Sequence, residues 1–380
     1  IEGTYQETAD PAKRLREGRW PTKLECKINQ VSSTIWPPLG CGLGGSSLLY
    51  GAALERLEAS DFAVRQTPAG EEIGWPYTYE ELQPYYLEAE KLYSVCGTQD
   101  QRDTHSRYEL RPPPAMSDCD RHLYQAMQAA SLHPYRIHVG MKYEKDCLEC
   151  GGYYCKRECK KDSRNSCIKP ALATGNLTIM DQAEVEHIEA DATSVKEIIV
   201  NRNGERSTLT GKIIVLAAGA YFTPVLMQRS VNQYWPNGIG NRHDQVGRYL
   251  MFHASDFIAI WPKGKFSRVG PQKTIAFRDF YEHQDLRLGE LQSTGLTAGY
   301  GNILYFLKLK FDQSPFRKLA FLRPFLRIPA KIAAWLFSEA TVFATIVEDH
   351  PYADNRVIYD AKALSSMRFE YQIRPELEER

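Results

Sequence analysis

The spacing of hydrophobic positions changes along this chain, and each spacing predicts a different kind of structure. From Tyr79 to about Gly97, and again from about Asp118 to Ser131, apolar side chains recur every three or four residues, as on one face of a helix. Acidic residues in the early turns and a glycine at the end fit the first of these helices. A Pro-rich stretch at 111–116 separates the two predicted helices.

Alternating apolar and polar residues replace the helical spacing after about residue 177. Residues 177–191 and 194–209 alternate around an Asn-Gly pair at Asn203 and Gly204, which predicts a short antiparallel meander. Residues 212–217 are mostly apolar and predict a buried strand that follows the meander. The next residues, AAGAYFTPVLMQRS, predict a turn that opens a helix.

The last third of the chain, from His253, consists mainly of strand-like runs. These runs predict a separate sheet-rich domain, and they are DFIAIW, KTIAFRDF, TVFATIVED, NRVIYD and MRFEYQI. One basic and apolar insert, residues 315–337, interrupts them. Prolines, charges and short length make the insert unsuitable for crossing a bilayer, so it predicts either packed or lid helices, or a surface for a membrane or a partner.

Composition and charge limit which classes of function the protein could have. The 47 basic and 47 acidic residues balance, so we expect a small-molecule substrate and no nucleic acid as a partner. Five of the nine cysteines crowd between residues 147 and 167, which does not fit a secreted disulfide framework and favours a cytoplasmic origin. The sequence opens on Ile1 without an apolar signal core, and we expect the true N-terminus to lie further upstream.

A Gly-rich turn from Gly40 to Gly45 is the first candidate binding site. It follows an extended segment and precedes SSLLYGAALERL, whose helical spacing predicts that the turn opens a helix. Such a turn offers unpaired N–H groups, the positive end of the helix dipole and close access to the backbone. It therefore predicts a site for an anion or a cofactor, with a purely structural turn as the alternative.

Four segments between about Trp36 and His253 form a series. They are IWPPLGCGLGGSSLLYGAALERLEASDF, GWPYTYEELQPYYLEAEKLY, VLAAGAYFTPVLMQRS and IGNRHDQVGRYLMFHASD. Their content and order resemble those of the glucose-methanol-choline (GMC) oxidoreductases. The resemblance implies an α/β plus α+β protein, with a Rossmann-like FAD-binding domain that carries a β-meander, and a substrate domain built on an antiparallel sheet with helices. It also implies that a CH–OH group of an alcohol or sugar is oxidised by hydride transfer to flavin N5.

The resemblance further implies which residues bind FAD. The Gly-rich turn would contact the pyrophosphate and the flavin edge, a meander strand would hold the adenine, and the turn before the later helix would lie near the nucleotide. The family usually has Asn at the position of Tyr50, so the resemblance does not decide whether the Tyr50 side chain contacts FAD. Taken singly, each residue also suits a structural role as a cap, a turn or a buried strand position. The expected residues are Gly42, Gly44, Gly45, Ser46, Ser47, Tyr50, Val185, Ala218, Gly219 and Thr223.

Two elements of that family have no match in this sequence. No GxGxxG turn precedes Gly40, and Arg380 is reached before the segment in which the family carries its catalytic histidine. We therefore expect the catalytic residue beyond Arg380, and this fragment alone to be inactive. Within the chain, His253 is the candidate base at the expected junction of two domains, with a structural histidine as the alternative.

The crowded cysteines form a second candidate site. Cys150, Cys155 and Cys159 are separated by four and three residues and lie among basic residues that favour thiolates. The spacing resembles the iron–sulfur segment of membrane-associated flavin dehydrogenases for sugars, which implies an electron-acceptor protein, although Lys160 replaces the proline usual there. Three alternatives stay open, namely free thiols or local disulfides, an iron–sulfur cluster, and zinc.

These expectations divide the chain into three parts. Residues 1–60 and 165–252 form an incomplete FAD-binding domain, residues 61–164 a helical and cysteine-rich cover, and residues 253–380 an incomplete substrate domain. Besides the FAD-dependent oxidoreductase, two functions of other classes stay open. One is a noncatalytic flavoprotein fragment or scaffold, and the other is an iron–sulfur electron-transfer module.

Overall fold

A computed structural model describes residues 18–68, 70, 72–145, 147, 149–283, 286–295 and 299–380. The strands are β1 (Leu24–Ile28), β2 (Val31–Ile35), β3 (Arg65–Gln66), β4 (Glu72–Ile73), β5 (Val95–Cys96), β6 (Tyr135–Arg136), β7 (Val139–Gly140), β8 (Ala183–Ala190), β9 (Val195–Arg202), β10 (Glu205–Leu209), β11 (Phe257–Ile260), β12 (Ile275–Phe277), β13 (Glu282–His283), β14 (Leu286–Arg287), β15 (Glu290–Ser293), β16 (Thr341–Ile346), β17 (Arg356–Tyr359) and β18 (Met367–Tyr371). The α-helices are α1 (Tyr79–Leu92), α2 (Asp118–Ala129), α3 (Lys169–Ala173), α4 (Gly219–Arg229), α5 (Tyr300–Gln313), α6 (Arg327–Phe337) and α7 (Pro375–Glu379). Short 3-10 helices cover Gly45–Leu48, Ala59–Phe62, Pro315–Lys318, Ala320–Leu326 and Leu364–Ser366, and a π-helical turn covers Arg164–Ile168.

The three largest sheets of the described residues have between three and five strands each, and most of their neighbouring strands are antiparallel. One has five strands in the order β11-β16-β15-β12-β6, and all of its neighbouring strands are antiparallel. A second has four strands in the order β17-β18-β1-β2, in which β1 and β18 run parallel. The third is the meander β10-β9-β8. The last described strands of the chain therefore lie beside the first.

Helix α4 lies between two of these sheets. Tyr221 and Val225 pack into the core formed by the four-stranded sheet, together with Leu24 and Phe369. Leu226, on another side of the same helix, packs with the meander. A separate core joins α2 to the five-stranded sheet. The position of α4 is therefore fixed from both sides by buried apolar side chains.

The helices and the meander predicted from the spacing of apolar residues are present. Thr78 caps α1, since its hydroxyl accepts from the N–H of Glu81 and the Glu81 carboxylate accepts from the N–H of Thr78. Ser117 caps α2 by accepting from the N–H of Asp120. The Asn203–Gly204 turn joins β9 to β10, and Asn203 has a positive φ angle of 53°. These elements are confirmed, except that α1 ends at Leu92, before the glycine predicted to end it, and Val95–Cys96 form β5.

Two predicted elements are wrong. Residues 212–217 form no strand, and Ile213 and Val215 are 84% and 78% exposed, because no described strand pairs with this segment. After the Gly-rich turn the chain makes only a 3-10 helix, Gly45–Leu48, instead of a longer helix. Ala52 has a positive φ angle of 62°, and the N–H of Leu54 donates to the His138 carbonyl at 2.9 Å, so the backbone bonds to another segment.

The strand-like runs of the last third are strands, but they belong to two sheets. The first three runs form β11, β12 and β16 of the five-stranded sheet, while the last two form β17 and β18 beside β1. The five-stranded sheet also takes β6 from the region expected to be a cover. The division of the chain into three domains stays a prediction.

Candidate cofactor and substrate site

The Gly-rich turn is packed on one side and open on the other. Gly42, Gly44 and Gly45 have φ angles of 141°, 100° and 55°, which other residues rarely adopt. A Cβ atom on Gly44 would lie 3.0 Å from Cβ of Arg164, so this side of the turn is filled. A Cβ atom on Gly45 would meet no atom within 4 Å. The turn therefore presents bare backbone to open space at Gly45.

The two serines of the turn hold its shape. The Ser46 hydroxyl accepts a hydrogen bond from the N–H of Gly40 at 3.1 Å. The Ser47 hydroxyl donates to the Gly44 carbonyl at 2.6 Å and accepts from the N–H of Ser163 at 3.0 Å. Both hydroxyls thus have partners within the protein. Their expected contact with FAD stays a prediction.

Lys160 fixes the chain that follows the turn. Its ammonium group is fully buried and donates to the carbonyls of Leu48, Tyr50 and Tyr153 at 2.9, 3.0 and 2.6 Å. Burial lowers the pKa of Lys160 to about 8. The Tyr50 hydroxyl donates to the Lys161 carbonyl. The expected role of Tyr50 at a flavin therefore stays a prediction, and its side chain also has a structural role.

Helix α4 begins with a second bare glycine. Gly219 has a φ angle of 81°, and a Cβ atom placed on it would meet no atom within 4 Å. Ala218 precedes it as the N-cap, and Thr223 lies one turn further along the helix. The helix start is therefore open to a group that approaches the backbone closely.

The segments expected at FAD are neighbours in the structure. Arg229 at the end of α4 donates from its guanidinium to the Val185 carbonyl in β8, which joins the meander to the helix. The Gly-rich turn is linked to the same helix through Trp20. The N–H of Trp20 donates to the Leu39 carbonyl at 2.9 Å, and its ring centroid lies 4.4 Å from that of Phe222 in α4.

A cavity of about 920 Å³ lies where three parts of the chain meet. Ala53 and residues 55–57, which follow the Gly-rich turn, form part of its lining, as do residues 251–253 and residues of β15 and β16. His253, the candidate base, is among the lining residues. The ten residues expected at FAD all lie within the described part of the chain and are not among those that line this cavity.

Buried charges surround one wall of the cavity. The Arg278 guanidinium lies 3.1 Å from Glu55 and 3.1 Å from Glu290. Nδ1 of His138 lies 2.9 Å from Glu55, and Nε2 of His138 lies 2.9 Å from the Thr98 carbonyl. Burial raises the pKa of Glu55, but the contacts with His138 and Arg278 lower it by more than burial raises it. The net shift of the Glu55 pKa is therefore downward. Burial lowers the pKa of His138, but the charge of Glu55 and the contact with it outweigh that effect, so the net shift of the His138 pKa is upward.

Two acceptor oxygens on β15 have no hydrogen-bond partner among the described residues. They are Oε1 of Glu290 and Oε1 of Gln292, whose side chains are 6% and 9% exposed and both line the cavity. Residues two apart in a strand point to the same face. Burial, with the charge of Glu55, raises the pKa of Glu290 to about 7. A buried acceptor without a partner costs about 1–3 kcal/mol, and a proton held by Glu290 would reduce that cost.

The crowded cysteines are arranged in pairs. The side chains of Cys150 and Cys155 are in hydrogen-bonding contact, and so are those of Cys147 and Cys159. The first contact raises the pKa of Cys150 and lowers that of Cys155. Among the described residues, no group of three or more His, Cys, Asp or Glu side chains is arranged to hold a metal ion. Iron or zinc at Cys150, Cys155 and Cys159 therefore stays a prediction.

Comparison with known protein families decides the assignment. The sequence profile of the GMC oxidoreductases matches residues 26–255, which is more than half of the chain. This chain belongs to the GMC oxidoreductase family. The family and the mixed fold class expected from the four segments are therefore confirmed.

Relatives of this GMC chain include two oxidases of streptomycetes. The 6'''-hydroxyparomomycin C oxidase of Streptomyces lividus is 26% identical over 345 residues, which cover 85% of this chain and 58% of the relative. The paromamine 6'-oxidase of Streptomyces fradiae is 26% identical over 348 residues, which cover 85% and 57%. The chain thus spans less than two thirds of the length of either relative.

A solved structure shares the fold of this GMC chain. The crystal structure of pyridoxine 4-oxidase from Mesorbium loti matches with a TM-score of 0.50 and 16% sequence identity, over 77% of this chain and 60% of that one. GMC family members bind FAD, which confirms the expected cofactor at the level of the family. The open backbone at Gly45 and Gly219 fits such a ligand, because each position has space that a side chain would fill.

Sequence reasoning missed several residues of this site. Lys160 was visible only as a basic neighbour of the cysteines, and nothing in its local pattern indicated full burial. Glu290 and Gln292 alternate with apolar residues in GELQS, which is a weak strand signal. Arg278 lies inside the run KTIAFRDF, and the long-range carboxylates around it are invisible in a local pattern.

Proposed function

We propose that the protein is an FAD-dependent oxidoreductase that acts on a CH–OH group of a small alcohol or sugar. The Gly-rich turn carries the proposal, since it exposes bare backbone at Gly45 and leads within ten residues to the cavity lining at Ala53. FAD, when bound, supplies the hydride acceptor. Oxygen or an electron-acceptor protein takes the electrons in this proposal.

Each part of the described site has a role in the proposal. The open backbone of Gly45 and Gly219 admits the phosphates and the edge of the cofactor. The cavity admits the substrate, and His253 on its lining is the candidate for the group that takes the hydroxyl proton. The polar side chains of Glu290 and Gln292 belong to the same lining.

The cavity favours a substrate with several hydrogen-bond donors. A lining that includes the carboxylates of Asp61, Glu348 and Asp349 suits hydroxyl and ammonium groups better than an apolar chain. Two relatives are named as oxidases of paromamine and of 6'''-hydroxyparomomycin C, which supports a compound of similar kind as the substrate. We propose a sugar or an amino-substituted sugar as the substrate class.

Replacing Gly45 by leucine tests the placement of the cofactor. In the full-length protein, Gly45→Leu should abolish FAD retention, because the side chain would fill the open space beside the turn. Gly175→Leu is the matched control, since Gly175 also has a positive φ angle, and a Cβ atom placed on it would likewise meet no atom within 4 Å. Both changes carry a similar backbone cost of about 1–2 kcal/mol.

The measurement is the ratio of flavin to protein absorbance after gel filtration. We expect a full flavin complement in the Gly175→Leu variant and little or none in the Gly45→Leu variant. A Gly45→Leu variant with its full complement would show that the turn does not approach FAD. Anaerobic mixing of the unmodified protein with paromamine, simple sugars and short alcohols then tests the activity, since a substrate should bleach the visible flavin absorption. A flavoprotein that none of them bleaches would contradict the proposed substrate class.

A further inference from the structure

A long excursion separates two strands that lie side by side. Strands β15 and β16 are antiparallel neighbours, and Leu291 pairs with Thr345. A two-residue turn is enough to join such a pair. Instead, the described residues 299–340 lie outside the sheet and contain α5, two 3-10 helices and α6 before the chain returns. The sheet itself does not require this excursion, so its surface is a candidate for a separate role.

The second half of the excursion exposes large apolar side chains. Six of them lie within about 20 residues and are 54–75% exposed to solvent, and we call them, with the basic residues between them, the basic apolar face. Clusters of exposed large apolar side chains are typical of surfaces that bind a membrane, a ligand or another protein. The six residues are Phe316, Phe321, Phe325, Ile328, Ile332 and Trp335.

In helix α6 the exposed apolar residues lie together on one side of the helix. Ile328, Ile332 and Trp335 follow one another at intervals of four and three residues, so they lie on one side of the helix. Ala330 is fully buried and lies on the opposite side, towards the protein. The helix therefore buries a small residue and presents its larger apolar residues to solvent.

The charges of the same segment have one sign. Residues 315–337 contain five basic residues and no acidic residue, although the whole chain is balanced. Apolar and aromatic side chains interleaved with lysine and arginine are typical of helices that lie in the interface of an anionic membrane. Among the described residues, no helix is both long and apolar enough to cross a bilayer.

We propose that the basic apolar face docks the protein on the surface of an anionic membrane. The apolar residues enter the interface between headgroups and acyl chains, and the basic residues contact lipid phosphates and carboxylates. A second copy of the chain fits this face less well, because within the described part of the chain Arg323 alone of the five basic residues pairs with a carboxylate, that of Asp312, and a two-fold dimer would bring the positive charges of the other four against their own copies. Charge complementarity therefore favours lipid.

The face is firmly joined to the five-stranded sheet. The indole N–H of Trp261, just after β11, donates to the Leu336 carbonyl at 2.8 Å. The rings of Trp261 and Phe337 have centroids 5.5 Å apart. Membrane docking would therefore also orient the sheet that carries Glu290 and Gln292 relative to the bilayer.

Flotation of the full-length, FAD-loaded protein with lipid vesicles tests the proposal. The protein should float with vesicles of phosphatidylcholine and phosphatidylserine, and should bind vesicles of phosphatidylcholine alone at least about tenfold more weakly. The double variant Ile332→Ser with Trp335→Ser should lose about tenfold or more of the binding to the anionic vesicles. High salt should weaken binding of the unmodified protein as well.

Val269→Ser provides the matched control, because Val269 is 88% exposed and lies outside the excursion. This variant should bind vesicles as the unmodified protein does. Failure of the unmodified protein to float with anionic vesicles would overturn the proposal. A dimer that the double variant dissociates, without vesicle binding, would identify a second copy as the occupant and would also overturn it. A double variant that binds vesicles normally would do the same.

Discussion

The carboxyl group of Glu290 lies between a positive and a negative neighbour inside the protein. One of its oxygens lies 3.1 Å from Nε of Arg278, and another nitrogen of the same guanidinium lies 3.1 Å from a carboxylate oxygen of Glu55. Burial and the charge of Glu55 raise the pKa of Glu290 to about 7, above its ordinary value of 4.5. The folded protein therefore keeps a proton on this group at pH values at which the unfolded chain has lost it.

This shift predicts how the free energy of unfolding changes with pH. Between about pH 4.5 and 7 the folded state binds more protons at Glu290 than the unfolded state, so stability falls as the pH rises. Glu290→Gln removes this titration and should flatten the decline in stability. The difference in free energy of unfolding between the variant and the unmodified protein should become roughly 2 kcal/mol more favourable to the variant at pH 8 than at pH 5. Urea denaturation at the two pH values measures the effect.

Glu88→Gln serves as the control for this titration, because Glu88 is exposed on α1. It should leave the pH dependence of unfolding unchanged. If Glu290→Gln and Glu88→Gln gave the same pH dependence as the unmodified protein, Glu290 would not hold a proton in the folded state. The residues around Glu290 come from three distant segments, which explains why no local pattern predicted this site.

At the scale of single residues, the sequence identified backbone positions better than side chains. Gly45 and Gly219 were expected to leave room for a cofactor, and a side chain at either position would meet open space. The Ser46 and Ser47 hydroxyls were expected at the same ligand but bond to the turn itself. A glycine pattern reports a constraint on the backbone at its own position, whereas the partner of a hydroxyl depends on the folded neighbours.

At the scale of elements, the cysteine segment makes a definite prediction about thiol chemistry. Cys150 and Cys155 are in contact, and Cys155 has the lowered pKa of the two. Treatment with hydrogen peroxide should therefore join them, with two thiol hydrogens and two electrons passing to the peroxide to give a disulfide and water. Peptide mass spectrometry after alkylation of the remaining thiols should find this pair before any other involving either residue.

Cys119 gives the control for that oxidation, because it is buried and its sulfur contacts Oγ1 of Thr341 at 3.8 Å. It should stay a thiol under the same treatment. A different outcome is also measurable. Protein that is prepared without oxygen would contain iron and acid-labile sulfide, and both would be lost when Cys150, Cys155 or Cys159 is changed to Ser. That result would contradict the paired thiols and support the iron–sulfur cluster instead.

The predicted elements succeeded where a local pattern was enough. The capped helices α1 and α2 and the meander needed only their own residues, and all three are present. The strand predicted at 212–217 failed because a strand requires a neighbouring strand, and sequence spacing does not provide one. The pairing of β18 with β1 could not be predicted, since it joins residues more than 300 positions apart.

At the scale of the whole molecule, Arg278 connects separate parts of the chain. Its guanidinium lies within 3.5 Å of Glu55, Glu58 and Glu290, and it also donates to the Arg56 carbonyl at 3.2 Å. The arginine and two of these carboxylates are almost fully buried. The charges therefore hold residues 55–58 against the five-stranded sheet.

Loss of this arginine should destabilise the whole protein. Arg278→Met leaves buried carboxylates without their counter-charge, which should lower the free energy of unfolding by about 3–5 kcal/mol. Arg121→Met is the control, since Arg121 is exposed and its pairing with Asp118 at 3.2 Å is worth about 0.5 kcal/mol or less. Urea denaturation midpoints at pH 7 compare the two, and an Arg278→Met variant within about 1 kcal/mol of the unmodified protein would show that the cluster does not connect these parts.

The excursion between β15 and β16 has a consequence for the order of folding. Bringing the two strands together requires closure of a loop from residue 294 to residue 340, which costs roughly 2–3 kcal/mol more chain entropy than a tight hairpin. Helices α5 and α6 pack against each other within that loop and can form from local contacts first. Their early formation shortens the effective loop, so the central pairing of the five-stranded sheet should form after the helical excursion rather than before it.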